Sequence, residues 1–260
     1  MPIAKQESSK LWGYWRHWGP SRLAQVASFH AANRVIYLEV LRVLHLRLGN
    51  VTRSYLDASV PFEFRPLSID EIEGYACDRA FDLHRFYQRA LANGDLCFAA
   101  LDGDRLVNYG WYSRWPTPIT GEFSSYFRQG YVYMHHGYTH PDYRGRHVYS
   151  HTMGRALSWL NRDGPAELVS VVSLSNVGAF KATQRLGYEQ LGTITIAGRF
   201  NTYLVHVDRG CREHGFWVAP TRAEYRSVYL TGRCPASNLP SGPLFAGSCS
   251  TYVEALRRRR

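Results

Sequence analysis

The chain has 260 residues, 45% of them apolar and 14% aromatic, enough for one good-sized core with appendages and too apolar for a disordered chain. Its formal charge of +10 is unevenly placed: eight Lys/Arg against three Asp/Glu in residues 1–60, nine against three in 209–260, and fourteen against fifteen between them. No apolar run reaches the roughly 18 residues of a membrane span and the opening MPIAKQESSK has no signal-peptide core, so a cytoplasmic protein without a transmembrane segment is expected.

The basic excess lies in the flanks. It predicts an anionic partner for them, whether nucleic acid, acidic lipid or another protein, against the plainer reading of a solvated arginine-rich surface. Five cysteines (Cys77, Cys97, Cys211, Cys234, Cys249) show no C-x-x-C and an odd count, which argues against a disulfide framework.

Near the start, Trp12, Trp15 and Trp18 recur at three-residue spacing, a cluster that packs on the core or at an interface. Residues 21–48 follow and read as helical, in two segments that break near Asn33, with Ser21 as an N-cap and Gly49-Asn50 as a stop. Apolar residues between Val35 and Leu48 run nearly all round a helical wheel, so a helical segment that clasps the core, or makes a homodimer contact, is expected.

From Phe62 the pattern becomes regular. FEFRPLS alternates as a strand, and Ser68 with Glu71 forms a capping box that opens a helix to about Ala76. Residues 79–92 read as a helix ended by Asn93-Gly94, and residues 96–115 as a hairpin about Asp102-Gly103. Strand over 122–138, helix over 147–161, a buried strand at Leu168–Leu174, helix over 177–186 and a closing strand pair at 190–196 and 200–207 complete the series. That order predicts a mixed α/β sheet with crossover helices.

Strand, basic turn and helix start meet at YVYMHHGYTHPDYRGRHVYSHTMGR (131–155). The orphan N–H groups and positive dipole end of the helix attract anions, and Arg144 and Arg146 add charge beside them, so the segment reads as a phosphate site. Thr139-His140-Pro141 with Tyr143-Arg144-Gly145-Arg146, followed by SNVGAFKATQRLGY (175–188), resembles motifs A and B of the GNAT superfamily of CoA-dependent N-acyltransferases. The resemblance covers roughly residues 62–207. It departs in the pyrophosphate loop, where the family's Arg/Gln-x-x-Gly-x-Gly/Ala is met by His147 and Tyr149 at both small positions.

The resemblance implies a GNAT-like fold at residues 61–208, with a helical N-terminal extension at 1–60 and a basic, loop-rich tail at 209–260. It implies acetyl-CoA or another acyl-CoA as donor and a small-molecule or peptide amine as acceptor, attacking the thioester directly in a ternary complex. The donor would lie along Thr139, Arg144, Gly145, Arg146, His147, Val148 and Tyr149, with Asn176 on the pantetheine amides or capping its helix. The family's base sits four or six residues before Thr139, at His135 or Tyr133; His136 faces the other way unless one bulge exchanges the two histidines.

The tyrosine that the family often places seven residues after Asn176 is replaced by Thr183, so the departing thiolate would take its proton from water, Tyr138 or Tyr149. His147 and His151 have the i, i+4 spacing of a metal pair, but no H-E-x-x-H carboxylate accompanies them and no metal is expected. Three other classes stay open: a fatty-acyl transferase using long-chain acyl-CoA or acyl carrier protein, a non-catalytic CoA-binding module, and a metal-dependent hydrolase.

Overall fold

A computed structural model of the chain describes residues 20–33, 36–57, 59–78, 81, 83, 86–120, 122–199, 202–221 and 227–231. Helix α1 (Pro20–Ala32) leads into strand β1 (Tyr37–Leu46) and the one-turn α2 (Ser54–Asp57); β2 (Glu63–Pro66), α3 (Ile69–Ala76) and α4 (Tyr87–Ala92) follow. The hairpin β3 (Leu96–Asp102) and β4 (Arg105–Ser113) precedes the short β5 (Thr117–Pro118), then β6 (Phe123–Phe127) and β7 (Tyr131–Thr139). After α5 (Val148–Leu160), β8 (Glu167–Ser173) and α6 (Val177–Leu186) come β9 (Glu189–Arg199), β10 (Thr202–Val207), α7 (Arg209–Glu213), β11 (Phe216–Pro220) and β12 (Ser227–Thr231).

Among the described residues nine strands form a mixed sheet in the order β12-β10-β9-β1-β8-β7-β4-β3-β2, and β11-β6-β5 form a second, small sheet. Helices α5 and α6 cover one face of the large sheet, burying Met153, Ala156, Leu157, Leu160 and Leu186 against Leu44, Leu46, Val132 and Leu168. The small sheet covers the opposite face through Phe123, Phe127, Phe216 and Val218, which meet Leu41, Val43, Tyr133 and Val205. A third apolar cluster seals α3 and α4 onto β3 and β4 around Trp111, Tyr109 and Leu83.

The mixed α/β sheet with crossover helices is as expected, and so are the Ser68–Glu71 capping box and the hairpin about Gly103. Four expectations change. Residues 37–46, expected helical, form a strand paired antiparallel to β8 on one side and β9 on the other, so the N-terminal helix ends at Ala32. A strand in the middle of a sheet buries both faces, and YLEVLRVLHL therefore lacks the alternation that marks a half-exposed strand. The stretch expected as strand over 122–138 is two strands in different sheets, and of 79–92 only Tyr87–Ala92 is α-helix among the described residues. In the segment expected as a loop-rich tail, α7 and β11 are regular and β11 pairs with β6.

The Trp cluster, the terminal arginine run, Cys234 and Cys249 lie outside the described residues. The three described cysteines are free. No helix of the described residues is long and apolar enough to cross a membrane.

After β1 the chain is locked to the end of α6. The Thr52 N–H donates to the Leu186 carbonyl at 3.1 Å, the Thr52 hydroxyl to the Arg185 carbonyl at 2.9 Å, and the Asn50 amide to Glu189 at 2.9 Å. Gly187 ends α6 at φ +110, and a Cβ there would lie 2.0 Å from the Asn50 carbonyl oxygen. Gly187→Ala should therefore cost about 3 kcal/mol or more in chemical denaturation, whereas Gly74→Ala, in open space within α3, should gain about 0.5–1 kcal/mol.

A polar knot closes this same end of β1. His45, 1% exposed, donates from Nε2 to Glu167 at 2.8 Å, and Arg47 and Arg128 approach the same carboxylate at 3.4 Å. Burial lowers the His45 pKa despite Glu167, so this is a hydrogen bond from a neutral imidazole. The unfolded chain then binds a proton below about pH 6.5 that the folded chain refuses, and stability falls with pH from there downward. His45→Gln, which keeps a donor without titrating, should flatten that acid limb in melts across pH 5–7. It should not abolish it, because burial lowers His151 in the same direction.

Candidate active site

β7 runs parallel to β8 only from Tyr131↔Glu167 to Met134↔Ser170; beyond that the two strands share no registered pair. On its other side β7 pairs with β4, Trp111 opposite His135 and Tyr109 opposite Tyr138, so two steps on β4 match three on β7. The extra residue is a β-bulge, marked by His136 at φ +45. It puts His135 and Tyr138 on the same face of the sheet, although a regular strand would place them on opposite faces.

His135 is buried, and its Nε2 lies 3.0 Å from a carboxylate oxygen of Asp95, which is also buried. The other Asp95 oxygen accepts from the Asn93 amide at 2.8 Å, and that amide also donates to the Ser113 hydroxyl. On the far side of the ring, His135 Nδ1 meets His136 Nδ1 at 2.7 Å. A carboxylate only accepts, so neutral His135 carries its proton on Nε2 and accepts at Nδ1. His136 must then be the donor at Nδ1, which leaves its lone pair on Nε2. The exposed His136 ring stacks on Phe86 at 4.1 Å.

Two cavities open beside this dyad. One of about 410 Å³ is bounded by Phe86, Asp95, Pro118, Tyr126, His135 and His136. The other, about 310 Å³, lies between the parted strands and is bounded by Glu39, Thr120, Tyr133, His135, His136 and Ser173.

A third and larger cleft, about 780 Å³, runs from Gly137 and Tyr138 over the turn to α6 and includes Thr139, Arg144, Gly145, His147, Val148, Tyr149 and Asn176. Gly145 is at φ +80 and His147 at φ +59, so His147 adopts the left-handed conformation that glycine adopts most readily. The N–H groups of Val148 and Tyr149 open α5 without intrahelical acceptors and face the turn that carries Arg144 and Arg146. Arg144 Nε donates to the Thr139 carbonyl at 3.2 Å with its guanidinium over the Tyr138 ring, and Arg146 lies over Tyr143. Thr139 in turn accepts from the Asn108 amide at 2.8 Å.

Tyr149, the second departure in the loop, turns inward. A Cβ on Gly137 would sit 2.6 Å from its ring, so the bulged strand has room for this tyrosine only because residue 137 is glycine. Its hydroxyl donates to Met134 Sδ at 3.7 Å, and burial pushes its phenol well up. Burial does the same to Tyr133, whose ring stacks on those of His135 and Phe127. A phenol held that firmly protonated is no base near neutral pH. Thr183 is buried and bonded within its helix to the Phe180 carbonyl. The exposed Asn176 caps α6 by accepting from the Ala179 N–H at 3.1 Å. Among the described residues no three His, Cys, Asp or Glu side chains are grouped to hold a metal, and His151 contacts the Tyr55 carbonyl at 3.3 Å.

The structure thus brings Tyr133, His135 and His136 to the cavity between the parted strands, and Tyr138 with the turn residues and Asn176 to one cleft, whose lining does not include Arg146. Sequence reasoning missed Asp95, forty residues from His135 and hidden in a helix-stop signal, and Glu39, hidden in an apolar run.

Comparison with known proteins adds the following. A search of curated proteins finds no match. Among solved structures, the GCN5-related glucosamine N-acetyltransferase region of a fungal multi-domain GH3 β-N-acetylglucosaminidase is 15% identical at TM-score 0.47, over 68% of this chain and 23% of that one. A GCN5-related N-acetyltransferase-like protein from Streptococcus suis is 13% identical at TM-score 0.42, over 66% of each chain. AAC(6')-Iy in complex with a CoA bisubstrate analogue is 17% identical at TM-score 0.39, over 49% and 90%. The chain spans less than two thirds of the length of the first two. Residues 63–188 match the model of the acetyltransferase (GNAT) family, a span that holds the bulged strand, the phosphate-type turn and both motifs, and through this domain the chain is a member of the GNAT superfamily.

Proposed function

We propose that the protein transfers an acyl group, acetyl by default, from a CoA thioester to a primary amine, with His136 as general base. The observation that carries this is the hydrogen-bonded chain from buried Asp95 through buried His135 to exposed His136, at the point where β7 and β8 part. The acyl-CoA lies with its pyrophosphate on the 144–149 turn, its pantetheine passing Asn176 and its thioester entering between the parted strands. Asn176 meets it through the amide edge not used in capping.

An amine entering from the two smaller cavities meets the thioester carbonyl beside His136. As the C–N bond forms, the amine proton passes to His136 Nε2. The positive charge on His136 is shared through Nδ1 with His135, whose Nε2–H is held by Asp95. Collapse of the tetrahedral species breaks the C–S bond. The thiolate takes its proton from water or from Tyr138, one of the phenols lining the cleft, and Tyr138→Phe separates the two.

Asp95 and His135 act as positioning residues. An amide at position 95 would donate to His135 Nε2, moving the His135 proton to Nδ1 and the His136 proton to Nε2, where it blocks the base. His136→Ala and Asp95→Asn should each lower kcat by on the order of 10²-fold or more while CoA affinity stays within a few-fold. Unchanged turnover in both folded variants sinks the assignment. Arg144→Ala should weaken CoA binding about ten- to hundredfold in calorimetric titration, the loss of one charge-assisted contact.

A further inference from the structure

Among the described residues Glu39 is the one carboxylate that lines the cavity between the parted strands, and it comes from β1, outside the span that matches the acetyltransferase family. Its position follows from register. Leu41 pairs with Ser173 at the end of β8 and the Leu174 N–H donates to the Val40 carbonyl, so Glu39 stands just past the last residue of β8. It shares a strand face with Leu41 and Val43, the face that packs toward Tyr133 and the small sheet. The cavity wall around it is mostly apolar, with Leu41, Pro118, Ile119 and Val171, and ends at His135 and His136.

Taking a carboxylate out of water costs free energy unless a cation or hydrogen bonds repay it, and Glu39 is half-buried. Among the described residues Glu39 has no ion pair; the Ser173 hydroxyl is the group that favours its charged form, while burial raises its pKa. Glu122 is the next carboxylate: burial pushes the Tyr37 phenol up to about 12, the Thr120 hydroxyl opposes this, and Glu39 and Glu122 both add to the rise. A chain with a formal charge of +10 thus presents a carboxylate, Glu39, in the cavity that also holds His135 and His136.

We propose that Glu39 binds a second cationic group on the acceptor, so that the preferred substrate is a diamine, or an amine bearing another ammonium several bonds away. The proposal rests on the acyl-transfer reading above. Glu39 does not serve the reacting nitrogen, since a carboxylate there would hold it as ammonium and oppose its deprotonation. At the other end of the cavity it anchors one ammonium while His136 deprotonates the other.

The test uses a ladder of α,ω-diamines of two to six carbons and the matching n-alkylamines, with kcat/KM for each and calorimetric binding to the CoA-loaded protein. Wild type should prefer the diamine of fitting length, and Glu39→Gln should cut its kcat/KM about ten- to hundredfold through KM, bringing the diamine-to-monoamine ratio near one. Glu39→Asp, which keeps the charge but withdraws it by one methylene, should restore a preference shifted to a longer diamine. The proposal is overturned if wild type shows no diamine preference, or if Glu39→Gln lowers kcat equally for both series. If neither series is acylated yet diamines bind in a Glu39-dependent way, the acyl-transfer reading falls and the cation site stands. Should Glu39→Gln fail to fold, the length shift in Glu39→Asp decides.

Discussion

Two parallel strands stop pairing at Met134 and Ser170, and the rest of the site depends on that parting. Backbone groups in a sheet are satisfied by their neighbours, so a sheet that opens in its middle needs something to keep it open. Here the bulge at His136 turns β7 away, and β8 finds its continuing partner in β1 on its other side. The opening is thereby built from fixed elements: a bulged strand braced by β4, and a strand held against β1. Side chains fill the space beneath, with partly buried Tyr149 under Gly137 and Met134, and buried Tyr188 bonded to Ser170 at 3.2 Å.

The same bulge sets the protonation pattern. In a regular strand His135 and His136 would point to opposite faces and their ring nitrogens would not meet. With His136 in the left-handed region, the two Nδ1 atoms lie at 2.7 Å and the first ring shares a face with Asp95. A hydrogen bond between like nitrogens fixes which one donates, and the carboxylate decides it. One strained backbone position therefore sets both the opening between the strands and the meeting of the two imidazoles.

Much of this was legible in the sequence, and the parts that were not share a cause. Local signals read correctly: Ser68 and Glu71 cap a helix, Gly103 turns a hairpin, and Arg144-Gly145-Arg146 sits at a helix start. The exchange of the two histidines by a single bulge could be stated as a condition but not decided, because a bulge shows only against a partner strand. Asp95 is invisible for a similar reason, since nothing near it in sequence says that its carboxylate meets an imidazole forty residues on. Tyr149 reads as a defect in a phosphate loop until Gly137 is seen to make room for it. The clearest failure is β1, whose apolar run fits a buried helix as well as a strand buried on both faces.

That strand has a consequence for how the protein comes into being. β1 is made early, but Leu41 pairs with Ser173 and Ile194, and Leu46 with Leu168. More than a hundred residues must emerge from the ribosome before either edge of β1 finds a neighbour. Until then a strand with two apolar faces and two open edges is exposed, the kind of segment that chaperones hold and that pairs wrongly with other chains. The closure of the sheet is a long-range, late event, and the wall of the cleft that carries Glu39 forms only when it is complete.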